Sequence, residues 1–182
     1  AGMVEKAMET AERIEDARER VEALREIVKE MTKAGMFEQV LDATKRVEDK
    51  LDQAWLLGGI VEGMAEVGMF EQALKVAGRI EDELNRSYPL RVIVERMAEA
   101  GMFEQALEVA KEILDIDERD EALRAIVEEM IKAEKFEQAV EVAKELEPSE
   151  EIARVLKALA KEIAKKGMIE EVIKVAEMIA EI

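Results

Sequence analysis

Neither cysteine nor histidine occurs among the 182 residues of this chain. The lack of cysteine excludes a disulfide-linked scaffold, and the lack of both residues excludes metal sites built on thiolate or imidazole ligands. Mechanisms that need a cysteine nucleophile or a histidine base are excluded as well. The carboxylates recur in every unit at helix-surface spacing and form no convergent polar set, so we expect a protein that is not an enzyme and that uses no cofactor and no metal.

Aromatic residues and prolines are scarce, with one tryptophan, one tyrosine, four phenylalanines and two prolines. Even so, 49% of the residues are hydrophobic and 39% are charged, which is typical of a folded domain with an aliphatic core. The net charge of −17 would repel a polyanion, so we expect no nucleic-acid partner. No apolar run approaches the roughly 18 to 20 residues of a membrane span, and no signal-peptide pattern is present. We expect a cytoplasmic protein without a membrane partner.

The sequence repeats itself every 33 residues without insertion or deletion. The aligned stretches are AGMVEKAMETAERIED at 1, AGMFEQVLDATKRVED at 34, VGMFEQALKVAGRIED at 67, AGMFEQALEVAKEILD at 100, AEKFEQAVEVAKELEP at 133 and KGMIEEVIKVAEMIAEI at 166. A fixed period of this length indicates a repeat architecture. We therefore predict a single repeat domain over 1–182, made of units 1–33, 34–66, 67–99, 100–132 and 133–165 and a half unit 166–182.

Each unit contains two helical patterns, a B pattern in its first half and an A pattern in its second half. In the fourth unit, Phe103, Ala106 and Leu107 begin the apolar spacing of the B pattern, and Leu123 and Ile126 begin that of the A pattern. No segment alternates with a period of two, so the fold class is all-α. Eleven helices are predicted, at 3–15, 17–33, 36–48, 50–66, 69–81, 83–99, 102–114, 116–132, 135–147, 149–165 and 168–181. One helix pair cannot bury its apolar face alone, so we expect the pairs to stack antiparallel into an α-solenoid.

The segments between helices carry their own signals. Glycine ends most A patterns, at Gly35, Gly68, Gly101 and Gly167, as expected for a left-handed C-terminal turn, and Glu134 breaks the series. The A helices are expected to begin after side-chain caps at Asp16, Asp49, Asp82, Asp115 and Ser149. In the third unit Pro89 removes a helical amide, so we expect a break or kink at 85–89 with the regular helix beginning near Ser87.

The A–turn–B segment resembles the tetratricopeptide repeat and, more distantly, the pentatricopeptide repeat. The matching residues are Ala122, Leu123, Ile126, Met130, Ala133, Phe136 and Ala139, with Gly101, Phe103 and Ala106 in the equivalent turn one unit earlier. The unit is one residue shorter than the roughly 34 of a tetratricopeptide repeat, and leucine replaces the large aromatic residue of helix A. The resemblance implies a right-handed superhelix whose concave face is lined by the A helices. It also implies that the chain holds peptides or partner proteins.

The second and third units depart most from the pattern, and we predict a binding site there. Trp55 and Tyr88 share one unit position, and Gly58 leaves space beneath Trp55. The columns that the resemblance assigns to the concave groove also contain Glu22, Arg25, Lys29, Glu121 and Arg154. The predicted binding residues in these columns are Trp55, Gly58, Glu62, Tyr88, Arg91, Glu95, Arg124, Glu128, Lys157 and Lys161. Because Glu62 and Glu95 belong to an acidic half of this face, the favoured partner is a basic or amphipathic segment of a protein or peptide. Partial burial of both aromatic side chains between helices is the alternative interpretation.

Three further expectations complete the sequence-based picture. Near-identical GMFEQAL segments also fit a purely structural or engineered repeat array without a specific ligand, or a fragment of a longer protein. The terminal helices 3–15 and 168–181 are both of B type and lack an outer A helix, so we expect end-to-end self-association. Gly59 and Gly63 in helix 50–66 form a small-residue pattern, which favours close packing of a neighbouring helix.

Overall fold

A computed structural model describes residues 2–11, 13–45, 47, 49–146 and 149–180. Within these ranges the chain forms eleven α-helices and no strand, which confirms the all-α prediction. The helices are α1 (Gly2–Ala11), α2 (Ala17–Lys33), α3 (Phe37–Thr44), α4 (Lys50–Glu66), α5 (Phe70–Ala77), α6 (Glu83–Glu99), α7 (Phe103–Ala110), α8 (Ile116–Lys132), α9 (Phe136–Ala143), α10 (Glu150–Lys165) and α11 (Ile169–Ala180). None of the described helices is both long and apolar enough to cross a bilayer.

Long and short helices alternate along the chain. We call the even-numbered helices, α2 to α10, the A helices and the odd-numbered helices, α1 to α11, the B helices. The predicted bounds of α2, α4, α6 and α8 are confirmed, whereas the predicted B helices before α11 extend too far. The predicted end of the last helix, 168–181, lies outside the described residues. In α7, for example, the helix ends at Ala110 although Ile113 is fully buried. The amide of Ile113 donates to the carbonyl of Ala110, three residues back, so the apolar period continues into a turn after the helical hydrogen bonding has ended.

The helices stack as an array of neighbours. Every backbone contact between described helices joins elements that are one or two places apart in chain order, so an A helix packs against the flanking B helices and the A helices before and after it. The centre of this packing is one recurrent aliphatic position, at which Ile60, Ile93, Ile126 and Leu159 have no solvent exposure. Each repeat is therefore stabilised mainly by its neighbours. The solenoid arrangement and its right-handed superhelical path stay predictions.

The A helices begin where the caps were predicted. The carboxylate of Asp16 accepts a hydrogen bond from the amide of Glu19 at 2.9 Å, and Asp82 accepts one from Asn85 at 2.8 Å. Asp49, Asp115 and Ser149 cap their helices in the same way. These side chains satisfy amides that would otherwise lack a helical acceptor, which fixes the first residue of each A helix.

The turns after the A helices also follow the prediction. Gly35, Gly68, Gly101 and Gly167 all have positive φ angles, between 75° and 82°. Glu134 adopts the same left-handed conformation with φ of 57°, although it carries a side chain. The amide of the following residue, Lys135, donates to the carbonyl of Met130, as Met102 does to Met97 after Gly101. The turn in the fifth unit therefore has the same shape as the others, and its backbone is strained at Glu134.

The predicted break at 85–89 is wrong. Helix α6 begins at Glu83 and continues through Pro89 to Glu99. Pro89 is buried, and its Cγ lies 3.5 Å from the point where a Cβ of Gly58 would stand, so the ring fills space that the neighbouring glycine leaves open. Packing of the ring against α4, together with the Asp82 cap, accounts for a helix that local propensity alone would interrupt.

Candidate binding surface on the A helices

The site is built on an unusually close contact between α2 and α4. A Cβ on Gly59 would lie 2.8 Å from the carbonyl oxygen of Arg25, and one on Gly63 would lie 2.6 Å from that of Lys29. Real side chains do not tolerate such distances to backbone, so only glycine permits this approach. This contact is the most extensive between any two described helices. The Gly59-x-x-x-Gly63 pattern thus brings the side chains of α2 within reach of those on α6.

Arg25 uses this approach to bridge three helices. Its unit position is held by Arg91, Arg124 and Lys157 in other A helices, but in α4 it is Gly58. The guanidinium carbon of Arg25 lies 5.1 Å from the ring centroid of Trp55 on α4 and 4.9 Å from that of Tyr88 on α6. Because the backbones of α2 and α6 are not in contact, only the length of the Arg25 side chain lets it reach Tyr88. The space that Gly58 leaves open is met by the ring of Pro89, and Arg25 lines the same cavity beside Trp55.

Arg91 extends the arrangement towards α8. Its guanidinium carbon lies 4.9 Å from the ring centroid of Tyr88, so this ring contacts two cations. Arg91 also pairs with Glu95 on its own helix and with Glu118 on α8, and it lies 3.4 Å from the carboxylate of Glu121. We call Trp55, Arg25, Tyr88 and Arg91 the stacked cluster. Each cation–ring contact of this kind contributes about 0.5–1 kcal/mol at an exposed site and more when water is excluded.

Both arginines of the stacked cluster are held in the charged form. Burial alone would lower the pKa of Arg25, but the charge and hydrogen bond of Glu62, with a smaller contribution from Tyr88, raise the pKa overall. Burial likewise opposes the charge of Arg91, and the carboxylates of Glu118 and Glu95 raise its pKa overall. The two arginines are thus permanent cations that are paired with carboxylates and packed against aromatic rings.

The carboxylates that were expected to make the face of the second and third units acidic are largely neutralised by basic side chains. Glu62 is 8% exposed and pairs with Arg25 and Lys29, while Glu66 pairs with Lys29 and Lys33, both at 2.9 Å. These pairs join α2 to α4 along the glycine contact. The carboxylates therefore hold helices together, and Glu62 in particular is not available to a ligand as the sequence-based interpretation assumes.

Apolar surface remains exposed around Trp55, which is itself 47% exposed. Leu51 and Leu84, on the first turns of α4 and α6, are also exposed. Two cavities flank the tryptophan. One of about 440 Å³ is lined by Arg18, Val21, Glu22, Arg25, Asp52 and Trp55, and one of about 320 Å³ is lined by Arg25, Ala54, Trp55, Gly58, Leu84, Asn85, Tyr88, Pro89, Asp115 and Glu118. We call this region, with Leu51, the Trp55 surface.

The structure brings together only part of the predicted site. Trp55 and Gly58 lie on α4 next to Tyr88 and Arg91 on α6, and Glu62 and Glu95 join them through their arginine partners. The remaining predicted residues are on helices further along the array, namely Arg124, Glu128, Lys157 and Lys161. Helix α10 has no contact with α4, so its lysines do not belong to the Trp55 surface. The two aromatic side chains differ in burial, since Tyr88 is half-buried and Trp55 is exposed.

Arg25 lies in a predicted groove column, but its contacts across α4 were not predicted, and only the glycine at Gly58 indicates room for them. Two other features of this surface lie outside the predicted columns. Leu51 and Leu84 occupy a unit position that is Arg18 and Asp117 elsewhere. Two leucines at an otherwise charged position could therefore have indicated exposed apolar surface here. Ser87 carries no such signal. Its buried hydroxyl accepts a hydrogen bond from the amide of Asp115 at 3.2 Å and thereby ties α6 to the start of α8.

No protein-family model matches this sequence, and no curated protein matches it. Among solved structures, the chain is similar to the crystal structure of Ton1535 from Thermococcus onnurineus NA1, with 20% sequence identity and a TM-score of 0.35. The match covers 98% of this chain and 54% of that chain, so this chain spans about half the length of the protein it matches. A likeness at this level carries no argument about function.

Proposed function

We propose that this protein is a non-catalytic scaffold that binds a protein or peptide segment on the face of its A helices, in the manner of tetratricopeptide repeats. The observation that supports the proposal is the position of Trp55. It is 47% exposed, yet its ring is packed against Arg25 and flanked by two cavities. Large aromatic side chains that are held in place before binding are the usual anchors of protein interfaces, because little conformational entropy is lost on contact.

The chemistry of the Trp55 surface favours an amphipathic segment with basic residues. Leu51, Trp55 and Leu84 offer apolar contact to one face of such a segment. The carboxylates of Glu62 and Glu118 already have arginine partners, so apolar burial supplies most of the affinity. The net charge of −17 acts at longer range and speeds the approach of a cationic partner.

The proposal is tested with a synthetic helical peptide of about 18 residues, five turns long. It carries leucine at i, i+3, i+4 and i+7 positions and lysine elsewhere, and its fluorescence anisotropy is followed as protein is added. One control peptide has glutamate in place of lysine, and a second has the same composition in an order without an apolar face. We expect binding by the first peptide only, weakened at least tenfold by Trp55→Ala, since anchor residues contribute more than about 1.4 kcal/mol.

Val67→Ala is the matched control, because Val67 is as exposed as Trp55 but lies at the other end of α4. This variant should bind as the unmodified protein does. In the free protein, the emission of Trp55 should be accessible to acrylamide and should become protected when the peptide binds. Equal binding by all three peptides, or binding that Trp55→Ala leaves unchanged, contradicts the proposal and favours a purely structural array.

A further inference from the structure

The last B helix presents an apolar face that the same fold covers elsewhere. Ile169 is 72% exposed and Ile173 is 53% exposed. One unit earlier, in α9, the equivalent residues Phe136 and Val140 are 4% and 1% exposed. Helix α9 is followed by α10, which packs against it, whereas the described residues contain no helix after α11. We call Ile169 and Ile173 the isoleucine ridge.

The opposite end of the array carries an apolar groove. A cavity of about 720 Å³ opens between α1 and α2, and its lining is almost wholly apolar. Ile27 and Met31 of α2 are only partly buried in this groove, whereas the equivalent Ile60 and Met64 of α4 are 0% and 3% exposed. The groove is therefore core surface of the repeat that lacks a covering element among the described residues.

We infer that the isoleucine ridge of one copy docks into the α1–α2 groove of a second copy, so that the protein associates head to tail. The ridge is spaced by four residues, as are the groove residues Ala7 and Ala11 of α1. Rows with this spacing on two helices interdigitate, and alanine in the groove admits close approach of the larger isoleucines. The inference does not depend on the proposed function of the Trp55 surface.

Charge favours the head-to-tail arrangement over two symmetric alternatives, in which two α11 helices or two α1–α2 grooves pack against each other. The charged residue that lines the groove is Lys6, whereas α11 carries Glu170, Glu171 and Glu177 against a single lysine, Lys174, and is therefore acidic overall. Packing two α11 helices together would bring the acidic residues of both copies into one interface. Packing two grooves together would place Lys6 of each copy against the other. Like charges across an interface are destabilising, so head-to-tail contact is favoured.

A head-to-tail contact joins two different surfaces and does not close on two copies, so the expected products are open chains. Sedimentation equilibrium of the full chain, from micromolar to millimolar concentration, should show a mass that rises beyond that of a dimer. Ile173→Lys should weaken association at least tenfold. Leu114→Lys is the control, because Leu114 is also 53% exposed but lies in the middle of the array. It should associate as the unmodified protein does.

A mixing experiment separates the three arrangements. Thr10 is exposed and lines the groove, so Thr10→Glu blocks the groove without burying a new charge in the core. Ile173→Lys and Thr10→Glu should each be monomeric alone and should form a one-to-one complex when mixed, since one retains the groove and the other the ridge. Dimers of Thr10→Glu alone would show tail-to-tail pairing, and dimers of Ile173→Lys alone would show head-to-head pairing. Either result, or a strict monomer at millimolar concentration, overturns the inference.

Discussion

Neighbouring glycines in α4 have different structural roles. Gly59 and Gly63 stand where α2 crosses α4, and a methyl group at either position would meet the backbone of α2. Gly58 is one residue away but faces the ring of Pro89, and a methyl group there would make an ordinary contact at 3.5 Å. Intrinsic helix propensity disfavours all three equally, so packing alone distinguishes them.

We predict that Gly63→Ala destabilises the protein by about 1–2 kcal/mol. Overpacking against the carbonyl of Lys29 and the side chain of Thr32 costs about 1–3 kcal/mol, which outweighs the gain of about 1 kcal/mol in helix propensity. Gly58→Ala is the matched control and should be neutral or stabilising by up to about 1 kcal/mol. Urea denaturation of both variants measures the difference. Equal changes in the free energy of unfolding would show that close packing against α2 does not determine the effect of alanine at these two positions.

The strained turn at Glu134 gives a second prediction at a single residue. Glu134→Gly should stabilise the protein by about 0.5–1 kcal/mol, because relief of the left-handed conformation exceeds the extra entropy that glycine gives the unfolded chain. Gly101→Glu, in the equivalent turn with φ of 75°, should destabilise by a similar amount. Thermal unfolding monitored by circular dichroism tests both changes.

Glu134 also pairs with Lys166 at 2.7 Å, so its substitution removes an exposed ion pair. Such pairs contribute about 0–1 kcal/mol, and Lys166→Gln measures that contribution separately. If Glu134→Gly destabilises the protein by more than Lys166→Gln does, backbone strain is not the dominant effect at this turn.

The sequence predicts the regular parts of the chain better than the contacts between distant side chains. Caps and turn glycines are local signals, so Asp82 and Gly101 locate helix ends without knowledge of the fold. Trp55 and Tyr88 could be placed on one face by the repeat register. Their contact with Arg25 could not be predicted, because it depends on how closely α2 approaches α4 in three dimensions.

At the scale of helices, hydrophobic periodicity reports burial rather than hydrogen bonding. Ile80 and Ile113 continue the apolar period of α5 and α7 and are 1% exposed, so the period predicts helices that are about one turn too long. At Pro89 the sequence-based prediction errs in the opposite direction and gives too little helix. The local effect of this proline predicts a break, but the ring is accommodated by Gly58 on the adjacent helix. Both errors arise because tertiary packing overrides a local preference.

Helices α2 and α4 are also joined by carboxylate–lysine pairs, which gives a pH-dependent prediction. The hydrogen bond from Lys33 and a further one from Lys29 lower the pKa of Glu66. A carboxylate whose pKa is lower in the folded state stabilises it above the unfolded pKa, about 4.3 for glutamate, and this stabilisation is lost as the pH falls through the folded pKa. We expect Glu66→Gln to be less stable than the unmodified protein at pH 7 and to lose less stability on acidification below about pH 5.

The free energy of unfolding in urea, measured at intervals from pH 7 to pH 3, tests this expectation. Lys33→Gln removes the partner with the largest effect on Glu66, so it should reduce the acid dependence in the same direction. Parallel pH profiles for Glu66→Gln and the unmodified protein would exclude a contribution of Glu66 to acid unfolding.

At the scale of the whole molecule, stable packing depends on the alternation of A and B helices more than on the number of helices. The backbones of described helices approach one another no further than two places along the chain, although a long side chain such as Arg25 reaches further, to Tyr88. Each helix therefore packs mainly against neighbours of the correct type rather than against a particular distant partner. The uniform period of 33 residues keeps every unit position in register. Removal of one whole unit should therefore leave the remaining interfaces compatible, whereas removal of half a unit should not.

We predict that deletion of residues 133–165 gives a folded protein with a lower unfolding temperature. The deletion joins Lys132 to Lys166 and places α11 against α8, as α9 is placed in the full chain, and it leaves the Trp55 surface on α2 to α8 intact. Deletion of 133–148 alone joins two A helices in succession, so the apolar face of α8 loses the B helix that covers it. The first deletion should unfold cooperatively and retain peptide binding, and the second should lose cooperativity or aggregate. Circular dichroism with thermal unfolding and peptide anisotropy distinguishes them, and equal behaviour of the two deletions would contradict a nearest-neighbour array.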